Sequence, residues 1–224
     1  MSARMKKKAC AIVFSVIAAA LCCAPIVFFY KQANDGYPAH GVVQYDRGDR
    51  VALCGFDERG ETVAYPAVTL SIEGATMLSA EEFMAVFPGY MDQVFAAGQA
   101  GDARFIVVEC LVENDSDDDA KTLLGNAAIQ TGSYANGIEY SLYQMLNGGK
   151  SFTFEAHSSN IVYLTYAIYD ASFGFNETWG SIDESSFELV VALYPDKEYV
   201  DLGVLDNFSL SEFSSKEACA WAER

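Results

Sequence analysis

Hydrophobic positions change their spacing along this chain. From Ala9 to Tyr30 they run without a charge for 22 residues. Beyond residue 50 they alternate with polar ones, in short segments bounded by Gly, Asn and Asp. Val68, Leu70 and Ile72 alternate with Thr69, Ser71 and Glu73, the period of a half-buried strand. Ile106, Val108, Cys110 and Val112 form the apolar side of a second, which ends at the acidic turn Asp115-Ser-Asp-Asp-Asp119. The same rule predicts strands over 126–131, 138–145, 150–156, 160–169 and 187–194, with a short first one at Arg50–Gly55. Helical spacing stands out once. Ser79 and Glu82 form a capping box, Phe83, Val86 and Phe87 share a face, and Pro88-Gly89 stops it.

About seven short strands separated by turn residues predict a mainly β chain. The expected architecture is an immunoglobulin-like β-sandwich with one short helix, preceded by a single N-terminal transmembrane helix. The Cys-Trp-Cys spacing of antibody domains is missing. As a helix, the first apolar run would span about 33 Å, against a hydrocarbon core of about 30 Å. A cleaved signal peptide is the competing reading. Ala18-Ala19-Ala20 would suit a peptidase, but no polar region precedes it and apolar sequence continues for ten residues. The uncleaved anchor is preferred. Arg4, Lys6, Lys7 and Lys8 precede the run, so the chain after it is expected outside the membrane. The expected layout is a basic cytoplasmic head (1–8), an anchor (9–30), a stalk or first strand (31–60), the sandwich (61–208) and a tail (209–224).

The strand Phe105-Ile-Val-Val-Glu-Cys-Leu-Val-Glu-Asn114 and the turn-plus-strand Asn147-Gly-Gly-Lys-Ser-Phe-Thr-Phe154 carry a family likeness. So does Met77-Leu-Ser-Ala-Glu-Glu-Phe83 with Pro88-Gly-Tyr90. Over roughly residues 65–205, this pattern resembles the uncharacterised extracellular immunoglobulin-like domains of membrane-anchored proteins of Gram-positive bacteria, actinobacteria among them. The resemblance implies a cell-surface protein of unknown function and transfers no site residues.

Charge is lopsided. All 31 acidic residues follow Tyr30, with ten of the 14 basic ones, so the outer part is near −21. Such a surface repels phosphate backbones, which argues against nucleic acid as a partner. Three of the six cysteines, Cys54, Cys110 and Cys219, lie beyond the anchor. One disulfide plus a free thiol, or three thiols, fit that number; Cys54–Cys110 is the pair to test first, and Cys110 is expected to point into the core. No CxxC spacing favours zinc.

Two candidate sites emerge. Asp115, Asp117 and Asp119 alternate as calcium-loop oxygens often do, although Ala120 and Asn126 break the EF-hand register. Their other reading is a solvated turn. Calcium is therefore the only cofactor in view. Phe173, Phe175 and Trp179, beside Gly174 and Gly180, offer a loop for a glycan or protein; their other reading is a loop folded onto its own sheet. No Gly-x-Ser-x-Gly, HExxH or P-loop is present. The expected function is a non-enzymatic binding module at the cell envelope, held by residues 9–30 in the membrane. The alternatives are an envelope hydrolase acting on cell-wall polymers and an accessory subunit of a membrane complex.

Overall fold

The alternating segments pair into two principal sheets. A computed structural model of the chain describes residues 41–57, 59–87, 103–172, 179–193 and 196–205. The apolar run 9–30, the Pro88-Gly89 stop, Cys219 and the tail 209–224 lie outside the described residues. Among the described residues, no helix is long and apolar enough to cross a membrane. The strands are β1 (Val42–Tyr45), β2 (Val51–Phe56), β3 (Thr62–Ser79), β4 (Ala103–Asn114), β5 (Ala120–Lys121) and β6 (Ala128–Thr131). They continue with β7 (Tyr134–Gly137), β8 (Thr153–Phe154), β9 (Ser158–Tyr169), β10 (Ser186–Ala192) and β11 (Lys197–Val204). One sheet runs β1-β11-β10-β6-β7, the other β2-β3-β4-β9, and β5 and β8 form a separate pair.

Period two explains the core between the sheets. Ile106, Val108, Cys110 and Val112 of β4 bury one face, and Val162, Leu164, Tyr166 and Ile168 of β9 bury the matching face. The antiparallel register sets Ile106 opposite Tyr166 and Cys110 opposite Val162. Phe187, Leu189, Val200 and Leu202 come from the other sheet to meet them. Burying each large side chain contributes roughly 1.5–3 kcal/mol. Cys110 is fully buried here, as its position in the alternation predicts.

Near its start β4 is apolar on both sides, because its outer face is also covered. Helix α1 (Ala80–Val86) lies there, its capping box formed as expected. The Glu82 amide donates to Ser79 Oγ at 3.2 Å, and the Ser79 amide donates to Glu82 Oε2 at 2.8 Å. Phe83 of α1 stacks on Phe105 at 4.0 Å. Leu78, Ala80, Ala103, Leu142 and Ala167 belong to the same second cluster.

The segment 138–145 is not a strand. It enters helix α2 (Tyr140–Leu146), so the described residues hold two α-helices rather than one. Ile138, Tyr140 and Leu142 alternate, but Leu142 and Leu146 also recur at helical spacing. Leu142 packs into the outer cluster, while Tyr143 packs between the sheets. The helix therefore straddles the edge of β9, whose sequence neighbours would otherwise leave that edge bare. The expected strand over 150–156 shrinks to the two residues of β8, paired with β5. Three strands lacked a sequence signal, β5, β7 and β11, while β1 falls in the segment expected as a stalk or first strand.

Candidate functional site

The acidic turn is built around a buried amide. Asn114, fully buried at the end of β4, donates from Nδ2 to the carbonyls of Asp118 (3.0 Å), Phe154 (3.0 Å) and Glu155 (3.1 Å). Its Oδ1 accepts from the Ser116 amide at 3.0 Å and the Ser116 hydroxyl at 2.6 Å. Asp119 Oδ1 accepts from the Ala156 amide at 3.0 Å, and Asp117 Oδ1 sits 3.0 Å from His157 Nε2. Asp115 is tied by its backbone, its amide donating to the Ala67 carbonyl at 2.9 Å. The three carboxylates are thus spent on neighbours or left in solvent. Among the described residues, no three His, Cys, Asp or Glu side chains are placed to hold a metal ion. A calcium ion at this turn would have to compete with the His157 and Ala156 contacts. His157 has φ +52°, a left-handed conformation uncommon for a residue with a side chain.

Of the aromatic trio, Phe173 and Phe175 lie outside the described residues. Trp179 opens a 3-10 turn, Trp179–Glu184, and packs half-buried against the core. The Arg104 guanidinium lies 5.2 Å from its ring centroid and is held by Asp183, Nε to Oδ1 at 2.9 Å and Nη2 to Oδ2 at 3.2 Å.

Cys54 and Cys110 are both free thiols, so no bond joins this pair. Burial pushes the Cys110 thiol far above its ordinary range. Burial, then the Glu198 carboxylate, raises Cys54. The reactive species is the thiolate, so neither environment activates a nucleophile. Cys54 lines an apolar cleft of about 310 Å³ with Phe56, Leu123, Val191 and Leu193.

A second cavity, about 430 Å³, opens between α2, β8 and the start of β9. Its floor is Tyr143, Phe154 and Val162; its rim is Lys150, Ser151, Thr153, Glu155 and Asn160. The turn Asn147-Gly148-Gly149 delivers the rim. Gly148 and Gly149 have φ of +63° and +77°, which a residue without Cβ adopts freely. Tyr143 is fully buried, its ring 4.4 Å from that of Phe152, and its hydroxyl has no hydrogen-bond partner among the described residues. Burial foremost, with a smaller push from Tyr140, raises this phenol to about 12. Phe152 in turn lies against Gly125, where a Cβ would come within 2.8 Å of the ring. The rim residues carry no motif. Only the glycine turn before them was legible, and it reads as a turn rather than a site.

Among solved structures, the chain is similar to an uncharacterised β-sandwich protein of Clostridium difficile 630, at 6% identity and a TM-score of 0.39, covering 74% of this chain and 97% of that one. It is also similar to a functionally unknown protein of Listeria monocytogenes EGD-e, at 14% identity and a TM-score of 0.39, covering 70% of this chain and 88% of that one. A conserved hypothetical protein of Bacillus anthracis matches at 15% identity and a TM-score of 0.36, covering 67% of this chain and 96% of that one. No curated protein matches. Residues 42–198 match the family model described as a domain of unknown function, DUF5028, and the chain belongs to that family.

Proposed function

We propose that this chain is a single-pass, membrane-tethered binding module whose immunoglobulin-like sandwich faces the cell exterior and takes its ligand in the cavity beneath α2. The uncharged run 9–30 behind four basic residues supports the tether and its direction. The strand order supports the immunoglobulin-like reading. The series β3-β4-β9 matches strands A, B and E, and β11-β10-β6-β7 matches G, F, C and C′.

The observation that carries the binding reading is the composition of the cavity. It is open, has a buried apolar floor and a polar rim, and presents a single carboxylate, Glu155. Hydrolysis of a wall glycan ordinarily needs two carboxylates about 5–9.5 Å apart. Binding needs only shape and hydrogen-bonding groups. The test is photo-crosslinking in intact cells from a benzoylphenylalanine placed at Ser151. An adduct with any envelope component is the expected result. A chain that stays uncrosslinked at Ser151, while a probe at exposed Tyr140 behaves the same, overturns the reading.

A further inference from the structure

We infer that the cavity beneath α2 takes a neutral, polyhydroxylated ligand of one or two rings, a small saccharide in chemical terms; this rests on the binding reading above. Size comes first. About 430 Å³ lies at the small-molecule end of known ligand sites, which run from about 300 to 1,000 Å³. It is too small for a folded partner's surface.

Charge comes second. The rim holds one cation, Lys150, and one anion, Glu155, so it asks for no net charge. Counting the cavity, the chain beyond Tyr30 carries 31 acidic against ten basic residues, a field that disfavours phosphates and other anions.

Hydrogen bonding is the third and most specific argument. Ser151 and Thr153 bring hydroxyls, which donate and accept; Asn160 brings an amide; Lys150 donates and Glu155 accepts. Among the described residues, the side chains of Lys150, Ser151, Thr153 and Glu155 have no hydrogen-bond partner. Asn160 is already oriented, its Nδ2 donating to Ser158 Oγ at 3.0 Å. A ring bearing several hydroxyls is the ligand whose groups both give and take at every one of these positions.

The experiment is saturation-transfer NMR on the full chain in detergent micelles, with glucose, N-acetylglucosamine, the β1,4-linked dimer of the latter, and glycine as a zwitterionic control. Transfer to at least one sugar, with Kd near or below about 1 mM, and none to glycine, is expected. Thr153→Val and Ser151→Ala should each weaken it at least fivefold without moving the melting temperature, since both side chains are exposed at the rim. No transfer to any sugar, transfer to glycine alone, or binding undiminished in Thr153→Trp overturns the inference. A Ser151 crosslink that persists when every sugar fails would retire the saccharide and leave the binding module standing.

Discussion

Asn147 and Tyr163 bond to each other twice: the Tyr163 amide donates to Asn147 Oδ1, and Asn147 Nδ2 donates to the Tyr163 carbonyl, both at 2.9 Å. A side chain at the end of α2 thereby imitates the strand that β9 lacks on its outer edge. The Glu139 amide does the same for the Thr165 carbonyl at 2.7 Å, and Asn136 Nδ2 for that of Ala167. Unpaired edges invite pairing with other chains. Here the edge is closed by groups from a helix and a short strand.

Asn147→Ala therefore strands the Tyr163 amide and carbonyl, while the Tyr143 carbonyl, which loses the Asn147 side chain at 2.9 Å, keeps the Asn147 backbone amide at 3.0 Å. Each unsatisfied group costs about 1–3 kcal/mol. We expect a loss of roughly 3 kcal/mol in urea unfolding, with light scattering rising at lower urea than in the parent. Asn147→Asp should fare no better, because it keeps the acceptor and loses both donor bonds. A variant within about 0.5 kcal/mol of the parent would show that water closes the edge equally well.

The buried phenols make the fold sensitive to alkali. Tyr143 holds its proton to about 12 in the folded chain, and Tyr166, fully buried, holds its own well above the ordinary value. In the unfolded chain both ionise near 10. Above that pH the unfolded state binds fewer protons than the native one, so stability falls as pH rises. Their contribution is intact below about 10 and drains between about 10 and 12. Urea midpoints measured from pH 8 upward should stay flat and then drop, and Tyr143→Phe should make that drop shallower. It should also be neutral or slightly stabilising at pH 8, since it deletes a hydroxyl without a partner.

The strands with both a polar and an apolar side, β4, β9 and β10, were legible because burial repeats every second residue. So was α1, because Ser79, Glu82 and Phe83 act within one turn. What escaped depends on distant partners. The segment 138–145 satisfies both periods, and only the place of β9 decides for the helix, whose two ends bring Glu139 and Asn147 to bond that strand's open edge. β1 is a strand because β11 lies alongside; its own residues are mostly exposed. The cavity was invisible for the same reason. Lys150, Ser151, Thr153 and Asn160 are ordinary solvent residues until the β5–β8 pair and α2 bring them to one rim. The acidic turn was legible as a turn, but the residue that organises it, Asn114, looked like the last residue of a strand.

Thiol chemistry should separate the two described cysteines. Native full-length chain treated with iodoacetamide at pH 8, then mapped by mass spectrometry, should label Cys54 slowly and leave Cys110 unlabelled. The Cys54 rate should climb with pH along a curve displaced above that of a free thiol, because burial and then Glu198 oppose its ionisation. Denaturant should equalise the two sites. A Cys110 that labels without denaturant would contradict its complete burial.

Gly55 is a position of close approach. A Cβ there would strike the Tyr65 ring and the Lys121 carbonyl oxygen, where β2 bridges to Thr122. The carbonyl is backbone and cannot swing aside. Gly55→Ala should cost roughly 1–3 kcal/mol by overpacking, while Gly137→Ala, with open space around it, should stay within about 1 kcal/mol. Thermal melts of the two variants side by side provide the check.

β1 enters the structure running parallel to β11, with Val42 to Tyr45 set beside Lys197 to Val200. The Lys197 amide also donates to the Gly41 carbonyl at 3.0 Å, and the Gly41 amide to the Asp196 carboxylate. A pull on the chain from residue 40, directed along this strand, loads these bonds together in shear rather than one after another. The first strand is thus fastened as a clasp whose bonds share such a load and pass it into the sheet through β11.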